Sequence, residues 1–396
     1  MENKIYSRVN RSRSLLLNLY SNRGVWSKQE DNMGDFGKLN KIKLSGFKSI
    51  REMELDLTSL NILIGPNGVG KSNFIHFFRF MNQLRSKELQ IYVSQKGTAE
   101  RFLHFGEKET KSIQAHLQFD PNEYKVELVP TQEGKLIFKS EEVIFNADKI
   151  RYQGGIKRFS LANAGQEESG LPPPSTLTAA SHVSGYIADW KIYHFHDTSD
   201  TSALKKVSNI NDNVRLSPQG ENLAAFLFSI QRTTEYQKIV ETIQRVAPFF
   251  QDFILIPDKN NIDQIRLRWK HKGSDSYFDA NSLSDGTLRF ICLTTLLLQP
   301  YHPTVILLDE PELGLHPYAI HLLAAMIKSA STKTQIIAST QSVTLANQFE
   351  WQNIVIVEQK DGASHFSRLE ESDVKIWLDD YKMGELWEKN LIRGTP

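Results

Sequence analysis

The residues of this chain that could do chemistry stand at the ends of apolar segments, and the first group is a glycine-rich loop. Residues 65–72 match the pattern G-x-x-x-x-G-K-[ST], between an apolar run at 60–64 and a helical pattern that follows. There the glycines let backbone N–H groups point at phosphate oxygens, Lys71 reaches the β- and γ-phosphates, and Ser72 holds Mg²⁺. The predicted phosphate-binding residues are Gly65, Pro66, Asn67, Gly68, Val69, Gly70, Lys71, Ser72 and Asn73.

A pair of carboxylates forms the second group. Asp309 and Glu310 follow the continuous apolar run 305–308, which is typical of a central parallel strand buried on both faces. The first carboxylate suits contact with Mg²⁺, and the second suits polarising a water that attacks the γ-phosphate. The sequence therefore predicts an ATP site in which Ser72 and Asp309 serve Mg²⁺ and Glu310 is catalytic.

A third motif, Leu-Ser-Asp-Gly-Thr at 283–287, lies just before that strand. Ser284 or Asp285 can cap the apolar helix that follows. The motif also resembles the signature of ABC ATPases, usually Leu-Ser-Gly-Gly-Gln, in the variant associated with structural-maintenance-of-chromosomes (SMC) and RecF proteins.

Three more segments support that resemblance. Residues 39–50 look like the opening strand of RecF-like heads, 312–317 like the loop after their catalytic Glu, and 335–342 like their switch strand. Over residues 39–396 the chain resembles compact ABC-type ATPases of the SMC, RecF and overcoming-lysogenization-defect (OLD) group. The resemblance implies an α/β fold: a P-loop head with a mixed sheet, an antiparallel subdomain and a helical second lobe.

The resemblance also implies a homodimer closed by ATP. Carried over to this chain, Ser284, Asp285 and Gly286 of one subunit would complete the site formed by Lys71 and Ser72 of the other. Gln341 stands where many relatives carry His. An amide can orient water or sense the γ-phosphate but cannot take up a proton, so we expect slow hydrolysis.

Two hypotheses address what the ATP cycle controls. The first is a regulatory ATPase that acts through a separate effector protein, a nuclease or toxin, as in some OLD-related phage-defence systems. The alternative is a RecF-like ATPase of DNA repair or chromosome maintenance that acts on DNA directly. The net charge of +1 gives no global attraction to DNA. With no apolar run near 18 residues, we expect a cytoplasmic protein with no membrane partner.

The head is expected to follow a basic extension at residues 1–38. Its first 30 residues hold six basic and two acidic side chains, which fits a nucleic-acid or partner-binding arm, a mobile extension, or a true start at Met33. Within the head we expect one lobe at 39–200, with the P-loop and inserted strands, and a second at 201–396, with the signature, the Asp–Glu strand and the switch.

The segments between the motifs are predicted from periodicity. Alternating patterns predict strands at 112–119, 124–129 and 135–138, and a Pro- and Ser-rich stretch predicts a loop or mobile insertion at 160–180. Apolar spacing predicts a helical region from 220 to about 247. Cys292 is expected to be a buried small hydrophobe.

Two segments keep more than one interpretation. His194, His196 and Asp197 lie within four residues of one another, and alternation would put the two histidines on one strand face. They fit a metal site, a segment that lines the ATP site in place of a glutamine loop, or an ordinary strand end. The aromatic tail at 377–387 fits either a helix packed on the second lobe or a docking surface for a protein partner.

Overall fold

The structure is a computed structural model that describes residues 38–150, 155–174, 178–378 and 380–394. The chain divides between Phe36 and Gly37, and the larger unit holds all of the motifs above. All of the basic N-terminal extension except Lys38 lies outside the described residues, and so does Met33.

The secondary structure of the larger unit is rich in strands. The strands are β1 (Lys41–Phe47), β2 (Ile50–Asp56), β3 (Leu60–Ile64), β4 (Ile113–Phe119), β5 (Asn122–Pro130), β6 (Leu136–Asn146), β7 (Ile156–Ala162), β8 (Trp190–Tyr193), β9 (Ser208–Asn209), β10 (Phe250–Phe253), β11 (Gln264–Ile265), β12 (Arg268–His271), β13 (Tyr277–Asp279), β14 (Val305–Asp309), β15 (Gln335–Thr340), β16 (Ile354–Lys360) and β17 (Ala363–Arg368).

Ten α-helices are described alongside the strands. They are α1 (Lys71–Arg85), α2 (Leu89–Lys96), α3 (Ala179–Ala188), α4 (Leu223–Ile230), α5 (Thr234–Val246), α6 (Asp285–Leu298), α7 (Pro317–Ser331), α8 (Val343–Ala346), α9 (Glu371–Val374) and α10 (Met383–Glu388).

A six-stranded sheet in the order β17-β16-β3-β15-β14-β8 carries the site. Its strands are parallel except β17, which pairs antiparallel with β16. Because parallel strands end at the same edge, the loops after β3, β8, β14 and β15 meet there. The glycine-rich loop, the Asp–Glu pair and the switch segment follow three of those four strands.

Both faces of this sheet are buried, which explains the continuous apolar runs. Ile62, Ile306 and Ile336 point to one core, where they pack with α4 to α8. Leu63 and Leu307 point to the other, where they pack with α1 and the antiparallel sheet. Alternate residues of each strand thus pack into two different cores, one on each face of the sheet. The site lies at the edge of the sheet, where both cores end.

The second large sheet is antiparallel, in the order β2-β1-β4-β5-β6-β7. Its inner face supplies apolar residues to the α1 core, and its outer face carries charges of both signs. Lys43 Nζ lies 2.9 Å from Glu54, and Lys125 Nζ lies 3.9 Å from Glu142. This face is therefore a mosaic of charges rather than a basic patch.

The α/β fold with a mixed sheet and an antiparallel subdomain is the one that the resemblance implied, but several predicted boundaries are wrong. The predicted strand at 135–138 continues to Asn146, because Glu141, which the alternation rule reads as solvent-facing, is buried and accepts a 2.6 Å hydrogen bond from the Tyr124 hydroxyl. The predicted loop at 160–180 begins inside β7 and ends inside α3, so the prediction is wrong at both of its ends.

The helical predictions need similar corrections. The region from 220 to 247 contains two helices, because Thr233 caps the start of α5 with its side chain and separates it from α4. The tail at 377–387 is not one helix: α10 starts only at Met383, and there Leu386 and Trp387 are buried against the larger core. That packing fits the first of the two interpretations of the tail. Cys292 is fully buried, as expected.

The sheet also bears on the predicted lobes. Two of its strands, β3 and β8, precede residue 200 in the chain, and the other four, β14 to β17, follow it. The boundary at residue 200 stays a prediction. Within the described part of the chain, no helix is both long enough and apolar enough to cross a membrane.

Candidate nucleotide site

The glycine-rich loop forms a tight turn between β3 and α1. Gly65 and Gly70 have φ of 155° and 107°, and a β-carbon on either would collide, with the Val357 carbonyl or the Ser364 hydroxyl respectively. Only glycine fits both positions. Gly70 caps α1 without a side-chain hydrogen bond, so the first-turn amides have no side-chain cap. A helix N-terminus of this kind suits an anion.

Lys71 lies folded over this loop. Its Nζ donates to the carbonyl oxygens of Gly65 at 2.5 Å and Pro66 at 2.8 Å, and the residue is 5% exposed. Burial lowers the pKa of Lys71, and the nearby carboxylates of Glu310 and Asp309 oppose that shift. The ammonium group thus sits in the loop that would hold phosphate, in reach of the carboxylate pair.

Asp309 joins the glycine-rich loop to the neighbouring strands. The Ser72 hydroxyl lies 3.4 Å from Asp309 Oδ1, although the two residues are far apart in sequence. Ser339 at the end of β15 donates its hydroxyl to the same oxygen. A hydroxyl and a carboxylate side by side at a helix N-terminus are oxygen ligands of the kind that Mg²⁺ takes beside a bound phosphate. The residues present therefore fit this ion.

Glu310 is held in an uncommon backbone conformation. Its φ is 45°, in the left-handed region, and its N–H donates to the Ser339 carbonyl at 3.0 Å. Its Oε1 accepts a hydrogen bond from Gln341 Nε2. A left-handed non-glycine residue at the edge of a sheet stores strain that the surrounding structure must hold. The carboxylate is thus aimed by its backbone and by the amide of Gln341.

Glu312 lies behind this pair, 8% exposed. Its Oε1 accepts from the Thr340 hydroxyl and, at 3.4 Å, from the Gln341 N–H, while its Oε2 is buried with no partner among the described residues. Burial raises the pKa of Glu312. The residue therefore fixes the backbone from which Gln341 reaches Glu310.

The histidine segment follows the edge strand β8 rather than lying in it, so the prediction that His194 and His196 share a strand face is wrong. His196 Nε2 lies 2.8 Å from the Asp309 carbonyl oxygen, which places the segment against the carboxylate loop. Among the residues that the structure describes, no group of three His, Cys, Asp or Glu side chains could hold a metal ion. The contact supports the interpretation that this segment lines the nucleotide site.

Arg289 of α6 connects the same segment to the signature helix. Its Nη1 donates to Leu313 O at 2.9 Å and its Nη2 to His196 O at 2.8 Å. Close packing adds to this link, because a β-carbon on Gly286 would lie 2.6 Å from the Gly314 carbonyl. The start of the signature helix is thus fastened to the loop that follows the carboxylates.

The signature residues themselves face outward. Ser284 is the N-cap of α6, and its Oγ accepts from the Thr287 N–H at 3.3 Å and lies 2.8 Å from the Thr287 hydroxyl. Ser284 and Asp285 are exposed, and Gly286 is partly buried. Of the two caps that the sequence allowed, the serine is the one used. An action of these residues on a second subunit stays a prediction.

Sequence reasoning missed several residues of this edge. Ser339 and Thr340 were predicted only as part of the switch strand, and Glu312 and Arg289 received no role. His76 of α1 also lies here, 3.3 Å from Lys48 Nζ, and burial, with Lys48 and Arg79 nearby, lowers its pKa to about 4. The available signal was position: Ser339 and Thr340 end a strand parallel to the one that ends in Asp309.

Residues 60–347 match the family described as "AAA domain, putative AbiEii toxin, Type IV TA system". The chain belongs to this family. Its members are ABC-like P-loop ATPases, so the resemblance inferred from the motifs is confirmed. The matched range includes the glycine-rich loop, the signature, the carboxylates and Gln341.

Two curated relatives align with most of this AAA-domain chain. Endonuclease GajA of Bacillus cereus (strain VD045) is 21% identical over 380 residues, which cover 85% of this chain and 61% of that protein. Septu protein PtuA of Bacillus mycoides (strain KBAB4) is 23% identical over 348 residues, which cover 83% of this chain and 42% of that protein. The chain spans roughly half the length of these relatives.

Solved structures confirm the fold of the AAA-domain chain. An SMC head bound to the C-winged helix domain of ScpA superposes with a TM-score of 0.55 at 15% identity, covering 85% of this chain and 99% of the other. An SMC head with an extended coiled coil, bound to the C-terminal domain of ScpA derived from Pyrococcus furiosus, gives 0.51 at 14% identity, with coverage of 87% and 99%. At this identity the likeness concerns the fold alone.

Proposed function

We propose that this chain binds and slowly hydrolyses ATP with Mg²⁺, and that ATP closes a head-to-head homodimer which controls a separate effector protein. The observation that carries the proposal is the meeting of three loops at one sheet edge. Ser72 lies beside Asp309, and Gln341 donates to Glu310. Phosphate binding, ion binding and water activation would thus share one place.

Each residue has a role that its contacts support. The loop amides and Lys71 would hold phosphate, and Ser72 and Asp309 would hold Mg²⁺, which would screen the phosphate charge. Glu310 would accept a proton from water as the water oxygen attacks the γ-phosphorus and the bond to the ADP oxygen breaks. Gln341 would orient the carboxylate of Glu310. Because an amide cannot relay a proton as histidine does, slow turnover is part of the proposal.

The exposure of the signature residues supports the dimer. Ser284 and Asp285 are exposed at the N-terminus of α6, where a hydroxyl and a helix terminus could reach the phosphate held by a second copy. Arg289 fastens this helix to the carboxylate loop, which would tie the contact in one subunit to the catalytic loop of the same subunit.

Glu310→Gln tests the catalytic assignment. The variant keeps the shape of the side chain and removes the base, so we expect ATP binding to persist, turnover to be nearly abolished, and a closed dimer to accumulate. Phosphate release and size-exclusion chromatography with ATP measure these outcomes. Wild-type turnover in the variant would remove Glu310 from this role.

A mixing experiment tests the dimer. Lys71→Ala and Ser284→Arg should each be inactive alone, because one loses phosphate binding and the other blocks the partner's site. A heterodimer of the two keeps one intact composite site and should recover part of the activity. If verified heterodimers recover none, the arrangement across the dimer is wrong.

Control of a separate effector is preferred to direct action on DNA. The net charge is +1, and the outer face of the antiparallel sheet pairs its lysines with glutamates, whereas DNA binding depends on many Lys and Arg contacts to phosphates. The similarity to Endonuclease GajA supports a nuclease as the effector class. A defence role in the cytoplasm is part of the same proposal.

Purified chain incubated with ATP, Mg²⁺ or Mn²⁺, and plasmid or RNA provides the test. We expect no cleavage. Robust cleavage that disappears with a point mutation outside the ATP motifs would refute the separate effector. ATP-dependent DNA binding without cleavage would favour the RecF-like alternative.

A further inference from the structure

Phe105 is an exposed aromatic residue in a constrained loop. Its side chain is 62% exposed, and its φ of 53° lies in the left-handed region that bulky residues rarely adopt. Neither feature stabilises the fold, because an exposed ring gains little free energy from burial of apolar surface and a left-handed backbone is strained. Backbone strain of this kind is frequent at ligand-binding sites, so we considered whether Phe105 binds a ligand.

The loop that carries this phenylalanine is fastened to the turn between β1 and β2. Lys48 N–H donates to Phe102 O at 2.8 Å, and His104 N–H donates to Gly46 O at 3.0 Å. His104 Nδ1 lies 2.8 Å from Lys48 O, and the Thr110 hydroxyl donates to His104 O at 2.6 Å. The aromatic ring is therefore held on a rigid support.

The ring lies close to the glycine-rich loop. A β-carbon on Gly362 would be 2.8 Å from Phe105 Cζ, so the ring edge rests on the turn between β16 and β17. Two residues further on, Ser364 packs against Gly70. Two residues of chain span at most about 7 Å, so the turn on which the ring rests lies next to the glycine-rich loop.

The polar contacts of the loop indicate which end of a nucleotide would face the ring. Ser72 turns towards Asp309, which marks the ion side. The next residue, Asn73, donates instead to the Ser49 hydroxyl at 2.8 Å, and Ser364 donates to the same hydroxyl at 2.7 Å. The phosphates would extend towards Asp309. The nucleoside would leave the glycine-rich loop on the opposite side, near Ser49 and Ser364, where Phe105 lies.

We propose that Phe105 stacks on the base of the bound nucleotide. The inference rests on the proposed function, since it takes the glycine-rich loop as the phosphate site. An aromatic face stacks on any base, so Phe105 would add affinity for nucleosides over bare phosphate without selecting adenine by hydrogen bonds.

Titration calorimetry with ADP and with inorganic pyrophosphate separates base contacts from phosphate contacts. Phe105→Ala should weaken ADP binding at least about fivefold and leave pyrophosphate binding unchanged. Phe105→Trp should keep ADP affinity and show saturable quenching of the new indole by ADP but not by pyrophosphate. Phe159→Ala removes another exposed phenylalanine, on β7, and should bind both ligands like the wild type.

Three results would overturn the inference. Unchanged ADP affinity in Phe105→Ala would show that the ring makes no contact with the base. An equal loss of ADP and pyrophosphate would show that it only supports the loop, and a melting temperature would reveal misfolding. A wild-type chain that binds neither ligand would refute the proposed function and this inference with it, whereas the first two results leave the proposed function standing.

Discussion

The hydrogen bond from Gln341 to Glu310 gives the most direct test of the catalytic geometry. Gln341→Ala removes the side-chain donor to Glu310 Oε1, and leaves the backbone N–H of residue 341 on Glu312. A hydrogen bond to a charged group contributes about 1.5–3 kcal/mol. Since each 1.36 kcal/mol of barrier is tenfold in rate, turnover should fall roughly ten- to a hundredfold.

Single-turnover phosphate release at saturating ATP measures the chemical step, and a separate titration measures nucleotide affinity. We expect affinity to change little, because Gln341 contacts the carboxylate rather than the glycine-rich loop. Gln341→Glu, of the same size, should be slower still, because it places a second carboxylate against Glu310.

Gln348→Ala is the matched control. It also removes a glutamine amide, one that donates to Thr344 O at 3.1 Å instead of to the catalytic carboxylate. Its turnover should equal that of the wild type. A Gln341→Ala variant with wild-type turnover would refute the reasoning, as would one whose rate loss is matched by Gln348→Ala.

Two further predictions concern stability and boundaries. Glu312→Leu removes the acceptor of the buried Thr340 hydroxyl and of the Gln341 N–H, although the Thr340 oxygen still accepts from the Ser342 N–H, so the free energy of unfolding should fall by about 2–4 kcal/mol, whereas Glu312→Gln keeps an acceptor. Since burial raises the pKa of Glu312, the wild type should lose stability as pH rises above the ordinary carboxyl range, and denaturant melts along a rising pH series should show Glu312→Gln gaining on it. A chain starting at Met33 should hydrolyse ATP like the full chain, because all the motif residues lie later, and loss of nucleotide binding in a titration would show that the predicted boundary is misplaced.

Much of the site follows from the sequence because its residues end apolar strands. The runs before Gly65 and Asp309 identify buried parallel strands, and strands of that kind bring their carboxyl ends to one edge. The contact between Ser72 and Asp309 is the result. Local pattern suffices here because the fold class leaves these loops only one place to meet.

The remaining features of the fold and site depend on contacts between segments far apart in sequence, and hydrophobic periodicity carries no information about such contacts. Glu141 looks like a solvent-facing residue, yet it is buried because Tyr124, Ser169 and Gly170 all donate to its carboxylate. Burial of that acid lets β6 run on through charged residues. The alternation rule reads a charge as an outward face, so it ended the strand too early.

The histidine segment failed prediction for a related reason. Alternation treats His194 and His196 as strand residues, but β8 ends at Tyr193 and the chain then turns along the carboxylate loop. What directs it is the Asp309 carbonyl on one side and Arg289 on the other, and both come from segments about a hundred positions away. Only the tertiary structure shows that this loop belongs to the site.

These contacts connect the two ends of the proposed cycle. Arg289 bonds α6 both to Leu313 in the loop after Glu310 and to His196, so a shift of α6 would act on both segments through these hydrogen bonds. Ser284 lies at the exposed end of that helix, where it would contact the phosphate bound by a second subunit. A force on the signature would therefore reach the strained Glu310 backbone through packed groups rather than through a flexible linker. In the proposed dimer, this connection would make hydrolysis depend on closure, and a slow cycle of that kind would suit control of a partner.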